Sequence, residues 1–365
     1  MTPAGTRRVL LTGLSTYWGG RLAQALEAFE SVETIIGVDS VEPRRELERT
    51  EFVKVSNHHG LLARIVRAAN IDTVIDTRLT VNSVSSGPRA AHENNVIGTM
   101  NILTACSGED SPVRQFIFKS SAYYYGSEQD DPAFFRETML RPHPPPTPLE
   151  RDIVEAETAV AEFAEKRPDV EVTILRCANV LGPDVDTAFT RMFALPAVPM
   201  VLGFDPRIQF VHEDDIVHAL EHCVFHDTPG VFNVAADGVL SMSEAASALG
   251  KRPAPILPPW GTGLVAGPLR SLGLKVPSEM LNLMRFGRGL DNRAFKATGF
   301  EYGHTSRETV LKLGEHMRLD PVMRGIEGGY TYEREVEDFL RWSPHVQRER
   351  PGASGVEADQ DLLGI

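Results

Sequence analysis

The first 180 residues alternate short β-rich runs with longer stretches of helical periodicity. The β-rich runs are RRVLLTG, ETIIGVD, EFVKVS, DTVIDT, RQFIFKS and EVTILR. Between them lie stretches with an apolar residue at every third or fourth position, RLAQALEAF, LLARIVRAA and NNVIGTMNILTAC. Parallel strands need long crossover connections, which are usually helices. The alternation therefore predicts an α/β fold, a doubly wound parallel sheet with helices on its faces.

A change of pattern after Gly182 predicts how the chain is divided. The regular alternation gives way to proline-rich and glycine-rich connections, and RIQFVHEDDIVHALEHC with GVFNVA indicates a return to the sheet. The ending RERPGASGVEADQDLLGI is polar and rich in turn-forming residues, which is typical of disorder. The predicted segments are a first α/β domain (1–183), an insertion belonging to a smaller lobe (184–208), the return to the sheet (209–238), the C-terminal lobe (239–345) and a disordered tail (346–365).

Charge and composition exclude several classes of protein. A formal charge of -13 argues against a nucleic-acid groove or an anionic membrane as the main partner. The isolated cysteines are predicted to be buried free thiols: Cys106, Cys177 and Cys223. The chain shows no signal peptide and no apolar run of about 18 residues, so we expect a cytoplasmic protein without a transmembrane helix.

The segment RRVLLTGLSTYWGGRLAQAL places a glycine turn between a strand and a helix. Gly13 would make the tight turn, and Gly19 or Gly20 would allow close packing at the start of the helix. The free N–H groups at that helix start favour a pyrophosphate. Thr16 stands where the usual pattern has its middle glycine, which weakens the motif. The alternative is a turn that only packs and binds nothing.

Asp39 ends the run ETIIGVD, twenty residues after Gly19. A carboxylate at this distance from the glycine turn would accept hydrogen bonds from a ribose 2′-hydroxyl. It would also repel a 2′-phosphate, which favours NAD over NADP as the cofactor. Arg44 and Arg45 follow closely and moderate that preference.

The segment TPLERDIVEAETAVAEF, residues 147–163, has the pattern of an amphipathic helix. Apolar residues recur three or four positions apart, with carboxylates between them: Ile153, Ala156, Val160 and Phe163. Because the segment directly precedes EVTILR, it is predicted to be one more crossover helix of the sheet. Its pattern alone indicates packing and no chemistry.

Several motifs occur together in one order along the chain: LLTGLSTYWGG, VDS, NNVIGTMNILTAC, FIFKSSAYYYG, TILRCANVLGP, IQFVHEDDIVHAL and GVFNVAADG. In this order and spacing the chain resembles the NAD-dependent epimerase/dehydratase family, the extended short-chain dehydrogenases. The resemblance covers about residues 7 to 250, with a looser match in LDNRAFKATGF. It implies a Rossmann domain that binds NAD and a C-terminal lobe that closes over a nucleotide-linked substrate. It also implies pairing of two copies through a helical face.

The resemblance assigns roles to residues of this chain. Asn95 matches the family's structural asparagine beside the cofactor, and Ser121 matches the serine of its serine-x-x-valine-tyrosine-glycine motif. Asn179 matches an asparagine near the substrate phosphates. His212 and Asp215 fall in the motif at the return to the sheet, where we favour a structural role.

The resemblance also exposes a departure. Family members carry a tyrosine and, four residues later, a lysine on one helical face, because the reaction needs a phenol made acidic by a nearby cation. In this chain Leu149 and Ile153 occupy these positions, so both groups are missing. Other groups could substitute for them: Tyr123, Tyr124, Tyr125, Lys119, Glu150 and Asp152. Among these groups, a tyrosine of the loop after Ser121, represented by Tyr124, is the best candidate to act with Ser121; the alternative, which we favour, is that all three tyrosines pack.

Other departures lie near the predicted cofactor. Where the family has small alanines, VIDTRLT has Arg78 and Leu79, which would crowd a cofactor or replace part of its cradle with a guanidinium. Family members often have an aspartate that contacts adenine. At the corresponding place in this chain, Asn57 could make that hydrogen bond. The adjoining histidines His58 and His59 have no third ligand nearby, so we interpret them as solvated and expect no metal site.

Two functions remain compatible with the sequence. The first is an enzyme with altered active-site chemistry that acts on a nucleotide sugar with bound NAD. The second is a catalytically silent sensor of the dinucleotide or of a nucleotide sugar.

The sequence also contains an apolar stretch interrupted by prolines, residues 256–274. It could be a lid, a partner surface or a membrane contact, and we favour a packed lid.

Overall fold

The computed structural model describes residues 6–55, 58–81, 86–108, 110–257 and 277–324. Within these ranges the strands are β1 (Arg7–Thr12), β2 (Val32–Asp39), β3 (Thr50–Lys54), β4 (Thr73–Asp76), β5 (Gln115–Ser121), β6 (Phe134–Phe135), β7 (Glu171–Cys177), β8 (Asn179–Leu181), β9 (Ala197–Val201), β10 (Arg207–Ile208), β11 (Phe210–His212), β12 (Gly230–Val234), β13 (Leu240–Ser241), β14 (Arg252–Leu257) and β15 (Gly289–Leu290).

The helices of the same ranges are α1 (Tyr17–Glu27), α2 (His59–Ala68), α3 (Pro88–His92), α4 (Gly98–Cys106), α5 (Pro148–Lys166), α6 (Ala188–Ala194), α7 (Glu213–Phe225), α8 (Met242–Ala248), α9 (Ser278–Phe286), α10 (Arg293–Lys296) and α11 (Ser306–Arg324). A π-helical turn, Glu93–Ile97, joins α3 to α4, and a 3₁₀ turn, Ala122–Tyr124, follows β5.

The central sheet has seven parallel strands in the order β12-β7-β5-β4-β1-β2-β3. The chain runs outward from β1 to β3, returns to β4 beside β1, and then continues to the opposite edge. This confirms the predicted doubly wound α/β fold. Strand order reverses between β1 and β4, and in such sheets a ligand binds in the crevice at the carboxyl ends of the strands where the order reverses.

Apolar side chains alternate between the two faces of the sheet and form a core on each. Leu10 and Phe116 point to the face covered by α2, α4 and α5. Leu11 and Ile117, one residue further along each strand, point to the face covered by α1 and α7. The three cysteines are buried and unpaired, as predicted.

Helix α5 begins with a capping box, in which the Thr147 hydroxyl accepts from the Glu150 amide and the Glu150 carboxylate accepts from the Thr147 amide. The predicted apolar stripe is buried along the whole helix: Ile153, Ala156, Val160 and Phe163. The stripe packs on the sheet between β5 and β7. The crossover role predicted for this segment is therefore confirmed.

Short strand pairs lie beside the main sheet. β9 pairs with β14 and β10 with β13, which links the segment 184–208 to the chain beyond residue 239. The return to the sheet is made by β12, which pairs with β7. No helix of the described ranges is both long enough and apolar enough to cross a bilayer. The predicted tail, 346–365, and most of the apolar stretch 256–274 lie outside the described residues.

Candidate functional site

The glycine turn after β1 adopts the predicted conformation. Gly13 has a φ of +82°, a value that L side chains rarely adopt. A Cβ on Gly19 would collide with the carbonyl oxygen of Gly13, so α1 packs on the turn only because residue 19 is glycine. Both glycines therefore have the roles expected from the sequence.

Thr16 is the N-cap of α1. Its hydroxyl accepts from the Gly19 amide at 3.0 Å and donates to the Gly13 carbonyl at 2.7 Å. The side chain that replaces the middle glycine is thus folded back into the turn. The first-turn amides of Tyr17 and Trp18 have no acceptor within an α-helix, so they remain donors for an anion.

Asp39 is held at the carboxyl end of β2, next to the turn. One carboxylate oxygen accepts from both the amide and the hydroxyl of Ser15, at 2.9 and 2.7 Å, and the other accepts from the Ser40 amide at 2.7 Å. Ser15 had no predicted role. The only indication in the sequence was a hydroxyl residue inside the glycine turn. Arg45 lies over α1, 5.6 Å from the centre of the Tyr17 ring.

A cavity of about 280 Å³ lies at the point where strand order reverses. That volume is near the lower end of the roughly 300–1,000 Å³ typical of ligand pockets. The cavity combines apolar walls with the Asp39 carboxylate and the Arg78 guanidinium. Its lining is Thr12, Val38, Asp39, Ser40, Val55, Leu62, Arg78, Ala90, Glu93, Asn94 and Ile102.

Arg78 forms a two-point ion pair with Asp76 at the carboxyl end of β4. Its Nε and Nη2 each lie 3.0 Å from one carboxylate oxygen. Thr12 donates its hydroxyl to the same carboxylate at 2.8 Å. The guanidinium is therefore a fixed wall of the cavity, whereas Leu79 is buried in the core.

Asn95 secures the segment that follows β4. Its amide oxygen accepts from the Thr80 amide at 2.8 Å and its amide nitrogen donates to the Thr80 carbonyl at 2.9 Å. The side chain is completely buried. Asn95 thus shapes the site indirectly, while the preceding residues Glu93 and Asn94 line the cavity.

Ser121 ends β5 and begins the tyrosine loop. Its hydroxyl accepts from the Tyr123 amide at 3.3 Å. Tyr125 is buried, donates its hydroxyl to Asn233 at 2.9 Å and accepts from Arg176 at 2.9 Å. Burial raises the pKa of Tyr125 to about 12 and also raises the pKa of Tyr123. Both side chains are buried, and burial makes each phenol harder to ionise.

Tyr124 differs from the two tyrosines beside it because it is only half-buried. The guanidinium of Arg176 lies 3.5 Å from the centre of its ring. Arg176 is also paired with Glu157 of α5 at 2.7 Å, and Glu157 accepts from Ser120. This buried network joins α5, β5 and β7, and sequence analysis did not find it because its members are distant in the chain.

Leu149 and Ile153 lie on the buried face of α5, with 3% and 0% of their surface exposed. The carboxylates beside them are already engaged. Glu150 pairs with Arg141 at 3.2 Å, and Asp152 bonds to Nδ1 of His92 at 2.8 Å. Glu150 is therefore engaged, whereas Oδ2 of Asp152 is buried and has no hydrogen-bond partner among the described residues.

Lys119 lies two residues before Ser121 on the same face of β5. Its Nζ is 4.6 Å from the centre of the Trp18 ring, and the residue is 2% exposed. Trp18 belongs to the first turn of α1, so the lysine lies beside the glycine turn. Burial lowers the pKa of its amine.

The remaining predicted residues have mainly structural contacts. Asn179 donates to the Gln209 carbonyl at 3.1 Å. His212 caps α7 and accepts from the Asp214 amide at 3.2 Å, while Asp215 accepts from the Gly303 amide at 2.8 Å. The histidines at the start of α2, His58 and His59, are exposed. Asn57 lies outside the described residues.

Comparisons with known proteins agree with this geometry. Residues 9–235 match the model of the NAD dependent epimerase/dehydratase family. An uncharacterised protein of Mycobacterium tuberculosis is 32% identical over 316 residues, which cover 85% of this chain and 83% of the relative. A second uncharacterised protein of the same organism is 39% identical over 92 residues, 24% of this chain and 10% of that protein.

Solved structures of low sequence identity share the fold. A UDP-glucose 4-epimerase of Thermotoga maritima, crystallised with UDP-glucose, gives a TM-score of 0.65 at 20% identity over 86% of this chain and 99% of that chain. A UDP-glucuronic acid 4-epimerase of Bacillus cereus, in complex with NAD, gives a TM-score of 0.64 at 17% identity. The match covers 86% of this chain and 96% of that chain.

Proposed function

This chain belongs to the NAD-dependent epimerase/dehydratase family, and we propose that it binds NAD without carrying out the family's hydride transfer. In this proposal the protein is a sensor of the dinucleotide that reports through its C-terminal lobe to a partner. One observation carries the proposal. Leu149 and Ile153, at the positions where the resemblance expects a phenol and an ammonium, are core residues with 3% and 0% exposure.

The residues at the carboxyl edge of the sheet fit a dinucleotide. Gly13 and Gly19 let the turn pack closely on the start of α1, whose first-turn amides suit a pyrophosphate. Asp39 borders a cavity in which a ribose hydroxyl would add to its hydrogen bonds or replace that of the Ser15 hydroxyl. When bound, NAD supplies a ring that accepts or returns a hydride.

Most of the groups that could move a proton with that hydride are missing or engaged, and the half-buried Tyr124 is an exception. Positioned acid–base catalysis contributes roughly 10²- to 10⁴-fold in rate, so its loss removes most turnover. Tyr123 and Tyr125 have raised pKa values and are buried. Glu150 is held by Arg141, and Oδ1 of Asp152 is held by His92.

The second candidate function is an enzyme with altered chemistry that uses Ser121 and Tyr124. It is favoured by one observation, the half-buried phenol of Tyr124 with the Arg176 guanidinium stacked on its ring at 3.5 Å. A nucleotide-linked sugar is the ligand class proposed for both functions, because solved neighbours of the same fold were crystallised with UDP-glucose or NAD. Asn179 is the residue proposed to lie near its phosphates.

We also propose a cytoplasmic location for the protein and the pairing of two copies. Three buried free thiols suit a reducing compartment, which supports a cytoplasmic location. Ile97 and Met100 are exposed beside α5, with 43% and 41% of their surface accessible. That helical face is where we propose that two copies pair.

Two measurements on the purified protein test the proposal. Thermal unfolding with and without millimolar NAD, NADH and NADP tests binding, since a ligand of the folded state raises the melting temperature. Incubation with NAD and a panel of UDP-sugars tests chemistry. We expect stabilisation by NAD or NADH and no altered sugar. No shift with any dinucleotide would refute the binding claim, and an altered sugar would favour the second candidate.

A further inference from the structure

The guanidinium of Arg78 lies between the glycine turn and α4, at a position where the family resemblance expects a small alanine. A Cβ on Gly13 would collide with the Cγ of Arg78, and a Cβ on Gly98 would collide with its Nη1. Asn94 and Ile102, four residues before and after Gly98, both line the cavity. The guanidinium therefore lies on the cavity side of α4, beside the turn.

The ion pair with Asp76 uses only part of this guanidinium. Asp76 accepts from Nε and Nη2, each at 3.0 Å, whereas Nη1 has no acceptor in the part of the chain that the structure describes. Because an arginine presents its N–H groups in a fixed planar fork, Nη1 and part of Nη2 stay available to a ligand. Asp76 is 1% exposed, so a ligand in the cavity meets the cation and not the carboxylate.

The rest of the cavity lining suits a nucleoside. Val38 and Leu62 provide apolar walls, and Asp39 and Glu93 add carboxylates. Among the described residues that line the cavity, Arg78 is the one basic side chain. Carboxylates accept from hydroxyl and amino groups, whereas a phosphate needs N–H donors or a cation. This distribution of charge places the phosphate end of a ligand at Arg78 and the first-turn amides of α1.

A free terminal phosphate suits this arrangement better than the phosphates of a dinucleotide. Each phosphate of NAD is linked on two sides and carries one negative charge. The terminal phosphate of ADP is linked on one side and carries up to two charges, so it offers an arginine two parallel charge-assisted hydrogen bonds. The cavity, at about 280 Å³, is also at the small end for ligand pockets and suits one nucleotide.

We propose that Arg78 makes this site bind ADP, in competition with NAD. Arg78 is then a residue that determines specificity, through the charge that it presents to the terminal phosphate. The inference rests on the proposed binding of NAD and deepens it, because occupancy of the sensor by NAD then depends on the concentration of ADP.

Titration calorimetry in magnesium-free buffer compares adenosine, ADP and NAD, and a further titration adds ADP to the protein saturated with NAD. The test variant is Asp76→Asn with Arg78→Met, which removes the guanidinium without leaving a buried charge. Its matched control is Asp76→Asn, which keeps the guanidinium.

We expect the unaltered chain and the control to bind ADP at least as tightly as NAD, and about tenfold or more tightly than adenosine. In the double variant, ADP affinity should fall about tenfold or more, because a hydrogen bond to a charged group is lost. NAD affinity should fall about threefold or less and adenosine affinity should not change, since adenosine carries no phosphate.

The outcomes separate this inference from the proposed function. If neither ADP nor NAD binds the unaltered chain, both are wrong. If NAD binds but ADP does not displace it, only the inference is overturned, whether or not any variant folds. If ADP binds and NAD does not, the proposed function is wrong, and a loss of ADP affinity in the double variant still supports Arg78 as the phosphate ligand. Unchanged ADP affinity in the folded double variant overturns that role.

Discussion

Leu149 and Ile153 lie one helical turn apart on the buried face of α5, against the core between β5 and β7. The two positions are those at which the family resemblance expects a tyrosine and a lysine. Because they lie in the apolar core, restoring the missing groups would disturb packing as well as chemistry. Leu149 and Ile153 therefore contribute to the stability of this helix by packing in the core.

Replacing both residues, Leu149→Tyr with Ile153→Lys, should destabilise the protein by about 3–5 kcal/mol, because the change buries an unpaired ammonium. Urea unfolding monitored by circular dichroism measures the change. Val154→Lys, a similar change at a half-buried position of the same helix, should have a much smaller effect. Equal stability of the double variant and the unaltered protein would show that the two positions are not core positions.

Asp39→Asn should lower NAD affinity about tenfold or more, because a hydrogen bond to a charged acceptor is replaced by a weaker one. The readout is the rise in melting temperature produced by NAD. Asp227→Asn is the control, since it removes a carboxylate at the opposite edge of the sheet, before β12. An undiminished NAD-dependent shift in Asp39→Asn would exclude Asp39 as a cofactor ligand.

Arg78→Met should destabilise the protein by about 3–5 kcal/mol, because Asp76, 1% exposed, would lose its only cationic partner among the described residues. The double variant Asp76→Asn with Arg78→Met removes the buried charge and should recover most of that loss. Urea unfolding of the two variants gives the comparison. Similar instability in both would mean that the guanidinium acts by packing and not by neutralising Asp76.

Stability should decrease as the pH falls from about 6.5 toward 4, partly through His222. Burial, and then the nearby His226, lower the pKa of His222 to about 4. The unfolded chain, with an ordinary histidine pKa near 6.5, takes up a proton that the folded chain excludes over this range. His222→Asn should therefore weaken the acid dependence of unfolding, whereas the exposed His316→Asn should leave it unchanged. Identical pH profiles for all three proteins would contradict this assignment.

Much of the fold could be predicted because its signals are local. The alternation of strand and helix patterns gave the parallel sheet, since each pattern reflects which face of an element is buried. Gly13 and Gly19 were identifiable because the turn leaves no room for a side chain. Leu149 and Ile153 became informative only through the order of the surrounding motifs.

The electrostatic details of the site depend on contacts between distant residues. The contact of Lys119 with the Trp18 ring links β5 to α1, and the ion pair of Arg176 with Glu157 links β7 to α5. No spacing in the sequence specifies which cation meets which ring or carboxylate. The bonding of Ser15 to Asp39 was likewise missed, because it forms only when β2 lies beside β1.

One NMR experiment tests the central claim, that the protein holds a dinucleotide but does not perform the family's chemistry. UDP-glucose is incubated with the protein and NAD in a single sample, and the spectra of sugar and cofactor are followed together. The account predicts broadened NAD resonances, which indicate binding, and UDP-glucose resonances that do not change. Resonances of an epimerised or 4-keto sugar, or NAD resonances identical to those of the free cofactor, would contradict it.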